Sequence, residues 1–358
     1  MKKIRYAVVG AGWISQEAFM PAIKATGNSE MSVIVSGSEE AARKLATFHN
    51  VPHVVSYDGY DEMLSNDMCD AVYIALPNSL HAEYAIHAAK AGKHVLVEKP
   101  LAITEEECRA MMAAAEEAGV YLMTAYRLHN EPGTLDVIAR IKAGEIGDPR
   151  IFSSTFSLNA EPGNHRLKAT HWGGALQDVG VYCLNAMRHV FAAEPEEVLA
   201  MASDGGGDPR FAEVPETVAA TLKFPGGKIG QFIASFGADD MDCYSVSGTK
   251  GSLLLNPGFR FDLTMELEIR KQLERSRVTY AHPDHFSGQI GYLSECILTG
   301  TPLRLDGADG LADVVIMRAI ERSIETRAPV KISGLGPIAQ PEPDMERNFP
   351  QTDHRLLL

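Results

Sequence analysis

IRYAVVGAGWIS, residues 4–15, decides the fold of this chain. Its apolar start reads as a β-strand, Gly10 and Gly12 as a tight turn, and the residues from Trp13 as the start of a helix. Two glycines so spaced let backbone approach a pyrophosphate, which unpaired N–H groups at the helix N-terminus attract. Ser15 stands where that fingerprint has Gly or Ala. At the head of a β-α series the stretch reads as a dinucleotide site, whereas alone it would be only a structural turn.

The series continues. Strands are expected at 31–37 (MSVIVSG), 71–76 (AVYIAL), 94–98 (HVLVE) and 120–126 (VYLMTAY), separated by amphipathic helical stretches such as 81–92. This pattern calls for a parallel sheet covered on both faces. Thr104 and Glu107 form a capping box opening a helix that stops at Gly119. From about residue 150 strand-like segments follow one another with period-two alternation, which suggests a mostly antiparallel sheet. Only the helical stretch 175–192 interrupts them early, and helices near 286–299 and 309–327 close the chain's second half. The fold expected is α/β: a Rossmann domain over residues 1–125, an α+β domain with a large, open, mostly antiparallel sheet over 126–332 for substrate binding and oligomerisation, and a tail or arm over 333–358.

Composition excludes several functions. The chain has 358 residues and a net charge of -14, and its basic residues are scattered, which disfavours nucleic acid and anionic membranes as partners. Five widely spaced cysteines without a CxxC pair read as reduced thiols, and the histidines show no metal-ligand pattern, so no metal is expected. The start MKKIRYAVVGAGW fits a first strand better than a signal peptide, no segment approaches a membrane span, and the cytoplasm is the default compartment.

Four further stretches carry chemistry. After the second strand come Ser36, Gly37 and Ser38, with Arg43 and Lys44 nearby. An acidic residue there grips ribose hydroxyls and repels a 2′-phosphate, so hydroxyls and cations favour NADP, with NAD as the alternative because Glu39 and Glu40 are close. In LPNSLH, Pro77 and Asn78 lie on a loop facing the nicotinamide half of a cofactor, or form a mere turn. In HVLVEKPLA, residues 94–102, Pro100 ends the strand and leaves Lys99 at its carboxyl end, where open α/β sheets keep their sites. Within ALQDVGVYCLNAMRHVFA, Asp178, Tyr182 and Asn185 project from one helical face, and Gly180 leaves room for something to approach.

GAGWIS, AVYIALPNSLHAEYAIHAAKAGKHVLVEKP, YRLHNEP and GGALQDVGVYCLN together resemble the Gfo/Idh/MocA oxidoreductase family, whose hallmark is the EKP of residues 98–100; the resemblance covers residues 4 to about 332. SGSEEAARKLA, HRLKATHWGG and VSGTKGSLLLNPG place the chain nearest the aldose-oxidising branch that includes glucose-fructose oxidoreductase. Where many members read DxGxHxxD, this chain has DVGVYCLN, with Tyr182 for histidine and Asn185 for aspartate, which is unlike the inositol dehydrogenases. The resemblance implies cofactor contacts from Gly10, Gly12, Trp13, Ile14, Ser36, Gly37, Ser38, Arg43, Leu76, Pro77, Asn78, His81, Glu98, Lys99 and Arg127. It implies sugar contacts from Lys99, Arg127, Arg166, Lys168, His171, Trp172, Asp178 and Tyr182, with His129 a further candidate.

The expected reaction is oxidation of an aldopyranose at C1, giving a lactone and reduced NADP, with re-reduction of a second sugar on a retained cofactor as an extension. Tyr182 is the expected acid/base, Lys99 the charge that favours phenolate and bonds the reacting oxygen, and Asp178 an orienting acceptor. Two readings compete: redox-assisted elimination of a glycosidic substituent with the nucleotide used transiently, and a sugar-sensing regulatory protein without turnover. The uncovered face of the second sheet points to a homodimer or homotetramer.

Overall fold

The structure is a computed structural model that describes residues 2–358. The chain forms two compact units. One takes residues through Glu131 with Pro283–Leu311 and Met345–Leu358, and the other takes Pro132–His282 and Ala312–Asp344.

The first unit is built on a six-stranded sheet: β1 (Ile4–Val9), β2 (Ser29–Val35), β3 (His53–Val55), β4 (Ala71–Ile74), β5 (His94–Val97) and β6 (Leu122–Thr124). All pairings are parallel and the order is β3-β2-β1-β4-β5-β6, so the strand order reverses beside β1. That reversal opens a crevice at the strands' carboxyl ends, where ligands of such sheets bind. β3 escapes a reading for period or length, being only three residues long with none fully buried. The expected capping box is present: Thr104 Oγ1 accepts from Glu107 N at 3.1 Å and Glu107 Oε2 from Thr104 N at 3.2 Å, and Gly119 ends the helix Glu105–Ala118 at φ 65°. Thr104→Ala should cost about 1 kcal/mol in urea unfolding.

Two assignments differ from expectation. The helix His285–Thr299, read as part of the second domain, belongs to the first unit. Ser294 Oγ lies 2.9 Å from Tyr6 Oη and 2.8 Å from Ser29 Oγ, and Ser287 Oγ donates to Ala22 O at 2.9 Å, so these two buried serines find their partners on β1 and β2 and the segment between them. The tail is neither loose nor, from Met345 onward, placed away from its own chain. Asn130 Nδ2 donates to Met345 O at 2.7 Å, Asp284 N to Phe349 O at 2.8 Å and Leu358 N to Gln16 Oε1 at 2.7 Å, while His354 stacks on Phe48.

The second unit carries nine strands: β7 (Pro149–Asn159), β8 (Glu197–Ser203), β9 (Thr217–Phe224), β10 (Lys228–Ser235), β11 (Gly237–Gly248), β12 (Ser252–Asn256), β13 (Glu266–Lys271), β14 (Glu274–Thr279) and β15 (Val330–Lys331). Their order is β14-β13-β12-β11-β7-β10-β9-β8-β15, and only β7 and β10 run parallel. Alternation sends Val218, Ala220, Leu222, Phe232 and Ala234 inward, where the helix Val181–Phe191 packs on β7 and β10. The opposite face shows Ile151, Leu199, Met201, Ile229 and Ile233, which are between 40% and 71% exposed. Among the described residues no helix is long and apolar enough to cross a membrane, and all five cysteines are free, four buried and Cys243 half-buried.

Candidate active site

The glycine loop meets the demands of a pyrophosphate site. Gly10 has φ 95°, and a Cβ there would stand 2.5 Å from Ala75 O, so no side chain fits. Gly12 has nothing within 4 Å of where a Cβ would stand and presents bare backbone. Ser15, in place of the third glycine, is fully buried and donates from Oγ to Gly10 O at 2.6 Å, which fixes the turn. Trp13 is 53% exposed beside it, and Ile14 is half-buried.

The turn after β2 is less cationic than expected. Ser36 Oγ accepts from Ser38 N at 3.2 Å, and Ser38 Oγ caps the helix Glu39–His49. Arg43 pairs with Glu39 at 2.5 Å and Lys44 with Glu40 at 2.7 Å, both at i,i+4 on an exposed face. Such surface pairs contribute at most about 1 kcal/mol and can be exchanged for a phosphate. Gly37 is exposed, and a Cβ there would touch the Tyr57 ring at 3.2 Å.

At the carboxyl ends of β4 and β5 the chain gathers Leu76, Pro77, Asn78, Glu98 and Lys99, all half-buried. Tyr73 Oη donates to Glu98 Oε1 at 2.7 Å, and the Tyr73 ring stacks on Phe19 with centroids 3.7 Å apart. Burial raises the Glu98 carboxyl above its ordinary pKa, while the Lys99 charge and the Tyr73 bond oppose that shift. Arg127 is almost fully buried, and its Nη1 donates to His285 Nδ1 at 3.0 Å, so this ring nitrogen carries no proton. His129 is buried with its Nε2 3.8 Å from Asp309 Oδ2. His81, expected against the cofactor, is instead wholly enclosed and holds two loop carbonyls. The Tyr73 and His285 contacts had no sequence signal, since Tyr73 reads only as a strand residue of AVYIAL and His285 stands outside the quoted stretches.

In the second unit the expected single α-helix starts as a π-helix, Leu176–Gly180, which passes into the α-helix Val181–Phe191. Such insertions recur at functional sites, and this one changes the angle between Asp178 and Tyr182 that a strict i,i+4 reading assumes. Gly180 makes room for the sheet: a Cβ there would lie 3.2 Å from both Ala234 Cβ and Phe232 Cε2. Tyr182 is 8% exposed, its ring seated 6.0 Å from Phe156 and 6.3 Å from Phe259 between centroids. Arg166 Nε lies 3.4 Å from Asp178 Oδ2. Asn185 leaves the polar stripe: it is buried and donates to Asp313 Oδ2 at 2.8 Å.

The remaining sugar candidates separate. Lys168 is exposed and paired with Glu213 at 2.6 Å, and His171 is half-buried. Trp172 donates from Nε1 to Glu321 Oε1 at 2.6 Å, and the Arg318 guanidinium lies 4.3 Å from its ring centre, so one aromatic face is taken.

The profile of the oxidoreductase family with an NAD-binding Rossmann fold matches residues 4–126, and that of the GFO/IDH/MocA C-terminal domain matches residues 134–254. The chain belongs to the Gfo/Idh/MocA oxidoreductase family. Among Gfo/Idh/MocA proteins it is 32% identical to a D-xylose 1-dehydrogenase [NADP(+)] of Haloarcula marismortui, over 92% of this chain and 93% of that one. It is also similar in structure to an aldose-aldose oxidoreductase of Caulobacter crescentus complexed with glycerol: TM-score 0.88, 33% identity, 92% of this chain and all of that one. A 3-ketoreductase of Actinomadura kijaniata, solved with NADP and TDP-benzene, has TM-score 0.82 and 28% identity over 90% of this chain and 98% of that one. The Gfo/Idh/MocA assignment makes the chain an oxidoreductase and accounts for both domains.

Proposed function

We propose that this protein is an NADP-dependent sugar dehydrogenase that oxidises an aldopyranose at C1 to its lactone. The observation that carries the reading is Lys99 at the carboxyl end of β5, in the sheet whose β1 feeds the glycine loop. The NADP-linked xylose dehydrogenase among its relatives supports the substrate class and the cofactor.

In this reading Gly10, Gly12 and the helix N-terminus after them hold the pyrophosphate, Ser36 and Ser38 receive the 2′-phosphate, and Asn78 bonds the nicotinamide ribose. Bound NADP supplies the hydride acceptor. Tyr182 takes the proton of the C1 hydroxyl as the C1–H bond breaks and the C1–O bond becomes a carbonyl, so one proton and one hydride leave the sugar. Lys99 donates a hydrogen bond to that oxygen and stabilises its negative charge. Arg166 and Asp178 orient the neighbouring hydroxyls, with His171 and Trp172 beside them.

The apolar face formed by Ile151, Leu199, Met201, Ile229 and Ile233 supports a homo-oligomer in which two such sheets face each other. The register sets Ile229 between Ile151 and Lys223 and Leu199 beside Thr221, so the apolar side chains of this face are interspersed with Lys223 and Gln231.

Absorbance at 340 nm, followed while protein and NADP meet glucose, xylose, galactose and other aldoses in turn, tests the reaction. A sugar-dependent rise establishes hydride transfer, and its amplitude relative to enzyme tells release of the cofactor from retention for a second sugar. No rise with any aldose removes this reading in favour of redox-assisted elimination or sugar sensing.

A further inference from the structure

His81 opens the helix His81–Lys90 and has no accessible surface. Its Nε2 lies 2.9 Å from Leu76 O and its Nδ1 2.9 Å from Pro100 O. Leu76 precedes Pro77 and Asn78 on the loop after β4, and Pro100 follows Lys99 on the loop after β5. The two strands pair as far as Ile74 and Val97, and Glu98 N extends the ladder by one bond to Ile74 O at 2.9 Å. Past that point one rigid ring spans both loops.

Carbonyls only accept, so each asks its ring nitrogen for a proton. A neutral imidazole supplies one and an imidazolium two. Burial and, more weakly, the Lys99 ammonium hold the imidazole below its ordinary pKa while the Pro100, Leu76 and Leu101 carbonyls oppose that shift; a ring with both protons bonds both loops, and a neutral one donates to one loop and holds the other by packing. An enclosed, two-sided clip of this kind fixes backbone on which reacting side chains stand, in the way partners behind a metal ligand fix the ligand.

We propose that His81 is a positioning residue for hydride transfer, setting Lys99 through the Pro100 carbonyl and Asn78 through the Leu76 carbonyl. The proposal rests on the reading above in which Lys99 bonds the reacting oxygen and Asn78 the nucleotide. It gives the enclosed histidine a task that direct cofactor contact cannot, because the ring has no surface to offer.

Two conservative variants separate the halves of the clip. In His81→Asn the amide nitrogen falls near Nδ1 and keeps the Pro100 bond, while in His81→Gln it falls near Nε2 and keeps the Leu76 bond. For each, kcat with the best aldose and the dissociation constant for NADP, read from quenching of intrinsic fluorescence, are compared with the parent protein. His81→Asn should keep kcat and weaken NADP binding about 10-fold, and His81→Gln should keep NADP affinity and lower kcat about 10- to 100-fold. Equal losses of kcat and affinity in both variants, or no loss in either, overturn the proposal, since a purely structural histidine would not split the two parameters. If the parent protein oxidises no aldose, the fault lies in the reading of the reaction. The two NADP affinities then still decide the Leu76 half, and equal affinities overturn it.

Discussion

Tyr182→Phe is expected to lower kcat for aldose oxidation about 10²- to 10⁴-fold while leaving NADP affinity within about twofold, the range for loss of a positioned general base. The substitution removes one oxygen. The ring stays between Phe156 and Phe259 at the centroid distances of the parent, and at 8% exposure it keeps its burial. The glycine loop, the Ser36–Ser38 turn and Asn78 stand in the other unit and are untouched. Steady-state kinetics at saturating sugar, paired with equilibrium titration of NADP, provides the check. A phenylalanine variant with the parent's kcat would remove Tyr182 from the chemistry and transfer the proton to another group, with Asp178 the first to test.

What could be read in the sequence was what is local. The glycine loop, the capping box at Thr104 and the lysine before Pro100 depend on residue types a few positions apart, and each stands where the spacing puts it. The helix around Tyr182 was legible as a helix, but its π-helical start was not, because hydrophobic periodicity does not register one extra residue in a turn. The glycine within it was legible as room for a close approach, and it is the sheet that approaches, through Phe232 and Ala234. Asn185 and Arg127 read as surface or site groups, but their partners, Asp313 and His285, lie 128 and 158 residues away. Long-range partners also decide why His285–Thr299 joins the first unit, where Tyr6 and Ser29 satisfy Ser294. Arg43, expected near the 2′-phosphate, pairs with Glu39 at i,i+4 on an exposed face, a local pairing that the residue spacing puts in view.

The largest expected loss of stability comes from Arg188→Met. Arg188 and Asp313 have side chains 1% exposed, and the guanidinium donates to Asp313 Oδ1 at 2.8 Å and to both oxygens of Glu194 at 2.7 Å. Methionine fills much of the volume but takes the guanidinium away from the buried Asp313 carboxylate, to which the Asn185 amide also donates, and from the less buried Glu194. Leaving one buried charge uncompensated costs about 3–5 kcal/mol. Urea unfolding of the second unit should show this at neutral pH, and the sign of the pH dependence identifies the cause. In the variant, burial without a cation raises the Asp313 pKa in the folded state above its unfolded value. The folded state then binds more protons than the unfolded one between those two values, so stability falls as pH rises through the folded pKa and is regained on acidification. The deficit relative to the parent must therefore shrink as pH is lowered. A deficit independent of pH would assign the loss to packing around Met187 and Phe191 and leave the ion pair without a net role. Asp313→Asn in the Arg188→Met background separates the two: it should restore stability at neutral pH if the lone carboxylate is the cause, and leave it unchanged if packing is.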